Sequence, residues 1–152
     1  MTWKYGLVAI VGSLPFALWW GVPTYNKAKA DAMVDELCAK DGGIKVYETV
    51  ALPADRFDRN GIVNVPSIRS KKPGDEYYYT NSTKWIVQGK GDPNDLVIWR
   101  DQFELYRLSD EKKLGTATYY ARRGGDPPSP MHPSSYMCPM GTDLFKKVFV
   151  RN

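Results

Sequence analysis

Residues 121–140, ARRGGDPPSPMHPSSYMCPM, gather most of the reactive side-chain types of this 152-residue chain. They include the only histidine, His132, one of the two cysteines, Cys138, and the serines Ser134 and Ser135. A nucleophilic enzyme would need His132 as the base that activates a serine or cysteine. Catalytic partners usually meet from separate elements, however, and no nucleophile-elbow motif is present. We therefore predict no catalytic residue and interpret this stretch as a structural loop.

Metal and phosphate chemistry are also disfavoured. A zinc site needs about four ligands that include close pairs, which one histidine and two distant cysteines do not supply. The pieces GKGD (89–92) and RRGGD (122–126) are shorter than phosphate-cradling motifs and lack their strand–loop–helix context. We expect no metal and no cofactor, and we interpret both pieces as tight turns at strand ends.

The charge pattern does not indicate a nucleic-acid partner. The chain has a formal net charge of +4, and its basic residues are scattered in pairs with acidic residues close to most of them. A nucleic-acid footprint would need basic residues clustered on one face, usually within a known module. Solvated protein faces are the simpler interpretation of this pattern.

The first 25 residues predict a membrane anchor. Positions 5–23 carry no charge and would form about 28 Å of helix at about 1.5 Å per residue, close to the roughly 30 Å of a bilayer core. Trp3 and Tyr5 at one end and Trp19 and Trp20 at the other are the candidate membrane-interface residues. We predict an uncleaved anchor at 1–25 and an extracytoplasmic domain at 26–152. A cleaved secretory signal and a buried hairpin helix are the alternatives.

Orientation depends on the cysteines, because Lys4 and the later Lys27 and Lys29 do not decide it by the positive-inside rule. Cys38 and Cys138, about 100 residues apart, predict one disulfide in an oxidising compartment. This places the N-terminus in the cytoplasm and the domain in the periplasm, on the inner (plasma) membrane. Two unrelated thiols in a cytosolic domain are the alternative.

The remaining patterns predict an α+β domain with one helix packed on a four- to five-stranded antiparallel sheet. Residues 25–40 have helical spacing of apolar positions, and the helix is expected to break at 21–23 where it joins the anchor. The segments 44–52 and 76–89 alternate as strands, and 96–123 alternates as a hairpin. The C-terminal end predicts a strand after a helical turn. A proline-rich loop at 124–140 follows an extended path, with the disulfide at its end.

Aromatic residues make up 13% of the chain and fall mostly on predicted strands, where some rings must lie on the solvent side. Exposed tyrosine, tryptophan and arginine are favoured in protein interfaces. The candidate interaction residues are Tyr77, Tyr79, Trp85, Trp99, Tyr119, Arg122, Arg123 and Tyr136. We predict a non-enzymatic accessory or assembly subunit that contacts the lipid bilayer and binds another protein. The alternative is an anchored ligand- or cell-wall-binding module that uses an aromatic sheet face.

Overall fold

The computed structural model describes the backbone of residues 3–92, 94–127, 132–139 and 143–152, and the side chains of these residues from position 21 onward. In chain order the elements are helix α1 (Trp3–Asp41), strands β1 (Gly43–Val46), β2 (Val50–Leu52), β3 (Tyr77–Val87), β4 (Val97–Arg107), β5 (Lys113–Arg123) and β6 (Ser135–Cys138), helix α2 (Leu144–Val148) and strand β7 (Phe149–Arg151).

One five-stranded antiparallel sheet forms the centre of the domain, as predicted. Its strand order is β1-β5-β4-β3, and β6 also pairs with β5. Strands β1 and β6 share one edge of β5, with β1 beside residues 115–118 and β6 beside residues 120–123. The predicted hairpin is the β4–β5 pair. Strand β3 is therefore the opposite edge of the sheet.

The two faces of the sheet carry separate cores. Where β4 and β5 pair regularly, even-numbered residues such as Ile98 and Tyr120 face α1, together with the buried Val34 of that helix. Odd-numbered residues such as Leu105 and Ala117 face the opposite side, which α2 and the two-stranded parallel sheet β2–β7 cover. We call these the α1 face and the α2 face. This alternation follows from the period of two along each strand.

Two predicted boundaries were wrong. The predicted strand at 44–52 is two strands, because the backbone N–H groups of Tyr47 and Glu48 both donate to the Leu114 carbonyl and the chain then leaves the main sheet. Its second half pairs in parallel with β7, at the far end of the chain. The expected helix break at 21–23 is also absent, since α1 runs through these positions. The C-terminal helical turn and strand are present as α2 and β7.

The predicted disulfide between Cys38 and Cys138 is present, with 6.0 Å between the two Cα atoms. It joins α1 to β6 and so fixes the end of the proline-rich loop on the helix. Further contacts hold the C-terminal part of α1, from Lys27 to Asp41, on the sheet: Lys27 to Asp126 at 2.7 Å, Asp31 to Arg122 at 2.5 Å, Asp35 to Tyr136 at 2.7 Å and Asp41 to Tyr120 at 2.6 Å.

The predicted anchor at 1–25 falls mainly on residues 1–20, whose side chains lie outside the described residues, and these include Trp3, Tyr5, Trp19 and Trp20. Within the part of the chain whose side chains are described, no helix is long and apolar enough to cross a bilayer.

Candidate functional site

The described part of loop 121–140 brings no nucleophile and base together. Cys138 is held in the disulfide. The hydroxyl of Ser134 donates to Asp126 Oδ1 at 2.8 Å, and its backbone N–H donates to Oδ2 of the same carboxylate at 2.6 Å. His132 is exposed. Cys138 and Ser134 therefore serve the structure of the loop.

Arg122, expected on an exposed loop surface, is instead the most deeply buried charged residue described, with 1% of its surface accessible. Its Nε donates to Asp31 Oδ1 at 2.5 Å, and its terminal nitrogen donates to the Gly124 carbonyl at 2.6 Å and to Ser134 Oγ at 3.2 Å. The guanidinium therefore joins helix, strand end and loop. Its neighbour Arg123 points to the other face and is exposed.

The RRGGD stretch forms a turn at the end of β5. Gly124 has φ +76°, in the left-handed region, and a Cβ built there would lie 2.1 Å from the Asp95 carbonyl oxygen. The following N–H, of Gly125, donates to the Asn94 carbonyl at 3.0 Å. Only glycine fits this close approach between two loops, which explains the residue type without a bound phosphate.

Several predicted interaction tyrosines pack against structural elements. Tyr77 meets Phe149 edge-on at 5.0 Å between ring centroids, and Tyr79 meets Phe145 at 5.8 Å. Tyr119 lies 6.0 Å from Phe103 on the same α2 face. Tyr136 donates to Asp35 on α1. These rings are half-buried, so they contribute mainly to the core and to the attachment of α1.

Beyond the C-terminal end of α1, the α1 face carries a network of paired polar groups. The ammonium of Lys113 binds Glu104 at 2.6 Å and is the main cause that lowers the pKa of that carboxyl. The Tyr120 hydroxyl likewise lowers the pKa of Asp41. Tyr78 donates to Glu111, which together with burial raises the pKa of Tyr78 to about 12. The lowered pKa values keep Glu104 and Asp41 charged at neutral pH, and the raised pKa of Tyr78 keeps its hydroxyl protonated there.

The uncovered part of the α2 face carries an aromatic surface. The ring centroids of Trp85 and Trp99 lie 5.7 Å apart, and 50% of Trp85 is exposed. The register continues from Trp99 to Ala121 and on to Met137, which is 48% exposed. Ala121 itself is buried, so we call Trp85, Trp99 and Met137 the Trp85 patch. Within this patch the Trp99 side chain is held by Asp101, whose carboxylate accepts a hydrogen bond from the indole N–H at 2.8 Å.

Strand β3 also presents an unpaired backbone edge beside this patch. At Tyr79 the N–H donates to the Pro66 carbonyl at 3.0 Å and the carbonyl accepts from the Ile68 N–H at 2.8 Å, so both groups point away from β4. Because antiparallel pairs alternate, the backbone groups of Asn81 and Thr83 and the N–H of Trp85 also point outward. No other backbone group pairs with them within the described residues. We call residues 81–85 the open β3 edge.

A cleft of about 450 Å³ adjoins the same surface. Trp85 and Val97 form its apolar wall, while Gln88, Asp92 and Arg123 supply polar groups. The sequence indicated both tryptophans and Arg123 as interaction residues, but it did not indicate that β3 is an edge. Whether β3 lies at an edge depends on the order of the strands in the sheet, and no local sequence pattern specifies that order.

No protein-family model matches the chain, and neither the curated proteins nor the solved structures include a significant match to it.

Proposed function

We propose that this chain is a single-pass envelope protein whose extracytoplasmic domain is a non-enzymatic accessory subunit that binds an extended segment of another protein on the open β3 edge. The observation that carries the proposal is the coincidence of outward backbone groups with a half-exposed tryptophan, Trp85, on the same strand. Strand addition takes its affinity from backbone hydrogen bonds and its selectivity from alternate side chains.

The composition of the edge argues for a partner of defined chemistry. Exposed edges favour non-specific pairing, and proteins commonly guard them with charges, especially lysine. Lys84 supplies such a charge on the α1 side of β3, whereas Trp85 offers a large apolar contact on the α2 side. Tryptophan is enriched among the residues that dominate binding energy.

The alternation of side chains specifies the segment that would fit. On an added strand, successive side chains point to opposite faces. A residue beside Trp85 would be apolar or aromatic, and the residue next to it would lie beside Lys84 and be acidic. Lys84 has no ion-pair partner among the described residues, so its charge is available to this acid.

The membrane part of the proposal is supported by two features. The uncharged run at 5–23 has the length and aromatic flanks of a span, and α1 continues from it into the domain. The Cys38–Cys138 disulfide is expected in the oxidising periplasm rather than in a reducing cytosol. The domain would therefore meet its partner at the outer surface of the inner membrane.

Site-specific photocrosslinking tests this function in intact membranes. A benzophenone amino acid at position 85 of the full chain should give one discrete protein adduct. The control is the same amino acid at Tyr47, which is 59% exposed and lies away from the open β3 edge. Adducts of equal yield and pattern at both positions, or none at position 85, would contradict the proposal.

A glycan-binding module of the cell wall is the second candidate, favoured by the cleft beside Trp85. Sugar rings stack on exposed tryptophan, and Gln88, Asp92 and Arg123 would bind their hydroxyl groups. Binding of soluble peptidoglycan fragments to the full chain, abolished by Trp85→Ala, would favour this candidate. Absence of binding at millimolar fragment would reject it.

A further inference from the structure

An apolar groove with a volume of about 700 Å³ lies on the α1 face. Ala30 and Met33 of α1 form one wall, Val87, Leu96 and Ile98 form the other, and Gly125 also lines the groove. The volume lies in the range of sites that hold a drug-sized ligand, about 300–1,000 Å³. We call this cavity the α1 groove, and neither the disulfide nor the open β3 edge is part of it.

We propose that the α1 groove holds one acyl chain of a membrane phospholipid. This inference rests on the proposed membrane anchor, because the described lining of the groove reaches Pro23, where the predicted span ends. From Pro23 to Glu36 the groove follows about 20 Å of helix at about 1.5 Å per residue. Acyl chains of one leaflet span half of a hydrocarbon core of about 30 Å, which is about 15 Å. One acyl chain of about 15 Å therefore fits within the groove, which is about 20 Å long.

The polarity of the groove favours an acyl chain over a peptide. A peptide strand would bring backbone N–H and C=O groups that need partners in an apolar site. The carboxylates of the lining are already bound, Asp126 by Lys27 and Ser134, and Glu36 by Lys40. An acyl chain brings no hydrogen-bonding group.

The charge near the membrane end of the groove suits a phospholipid headgroup. Lys29 lines the groove, is exposed, and has no ion-pair partner within the described structure. It lies about 9 Å along the helix axis from Pro23. Because helical side chains tilt toward the helix N-terminus, the long Lys29 side chain reaches back toward Pro23. Its ammonium is placed to bind the phosphate at that end while the acyl chain extends along the groove toward Glu36.

The test uses the full chain in nanodiscs of phosphatidylglycerol that carries a diazirine at the end of one acyl chain, followed by peptide mapping of the photolabel. We expect labels in the anchor and also at Met33, Val87 or Ile98. Met33→Asp should lower the groove labels about tenfold, because a carboxylate opposes the apolar chain. The matched control is Met137→Asp on the α2 face, since Met33 and Met137 are 38% and 48% exposed. It should leave the labels unchanged.

Labels confined to positions 5–23 would overturn the inference and leave the anchor in place. Groove labels that Met33→Asp does not reduce would also overturn it, because they would arise outside the groove. Val87→Asp, on the opposite wall, provides a second variant if Met33→Asp fails to fold. An absence of label from both regions would contradict the anchor itself.

Discussion

Replacing Arg122 by methionine should destabilise the domain far more than the same change at Arg123. Arg122 is 1% exposed and donates hydrogen bonds to Asp31, Gly124 and Ser134, so methionine keeps most of the volume and loses the link between helix and loop. Removing one member of a buried ion pair costs about 3–5 kcal/mol. The Asp31 side chain retains 30% exposure, and water compensates part of this loss, so we expect about 3 kcal/mol.

Thermal unfolding of the full chain, followed by near-ultraviolet circular dichroism in detergent, measures this effect. A loss of about 3 kcal/mol corresponds to a fall in Tm of about 6–12 °C for a protein of this size. Arg123→Met, at an exposed site, should change Tm by little. The double variant Arg122→Met with Asp31→Leu should recover part of the loss, because no unpaired carboxylate remains. A fall in Tm equal to that of Arg123→Met would refute the role of Arg122 as a buried clamp.

Three further predictions concern stability. Replacing Cys38 and Cys138 by serine should cost up to about 4.7 kcal/mol, less any strain, because the disulfide closes a loop of about 100 residues; urea unfolding without reductant measures it. Asp126→Asn should make the stability of the domain less sensitive to acid. Burial raises the pKa of Asp126, but the hydrogen bonds from Lys27 and Ser134 outweigh this effect and lower the pKa from 3.8 to about 2. Its stabilising contribution is present above about pH 4 and is lost as the pH falls toward 2, so an unchanged pH profile in Asp126→Asn would contradict it. Gly124→Ala should cost more stability than the roughly 1–2 kcal/mol of an alanine in the left-handed region, because its Cβ would meet a backbone oxygen. The control Gly61→Ala has open space at a similar φ and should cost only that amount. Equal losses of stability in urea unfolding would contradict the clash.

Local patterns were sufficient to predict much of the fold. The alternation of Phe103 and Leu105 against their polar neighbours gave the hairpin and the correct faces of β4. The spacing of Val34 and Cys38 gave the inward side of α1, and the isolated cysteine pair gave the disulfide. The signals for the hairpin and the helix come from residues that are close in sequence. The signal for the disulfide comes from the number of cysteines, because two cysteines allow a single pairing.

Contacts between distant segments were not predictable in the same way. Strand β2 leaves the main sheet to pair with β7, about 100 residues later, and nothing in residues 50–52 signals this. Arg122 was predicted as an exposed interaction residue because arginine is enriched in protein interfaces, and only the packing of α1 brings Asp31 to it. The open β3 edge depends on strand order, so the tryptophans were predicted as contacts without the backbone groups beside them.

The role of the open β3 edge as a strand-addition site is tested most directly by removing one outward N–H. In the full chain with the benzophenone at position 85, Thr83→Pro deletes that donor, and edge strands tolerate proline where the N–H faces outward. Thr83→Ala loses the same side-chain bond to Asp101 but keeps the N–H. We expect Thr83→Pro to lower the yield of the protein adduct about tenfold, from the lost hydrogen bond and the steric block, and Thr83→Ala to leave it nearly unchanged. An equal yield in both variants, with circular dichroism confirming that both are folded, would contradict strand addition.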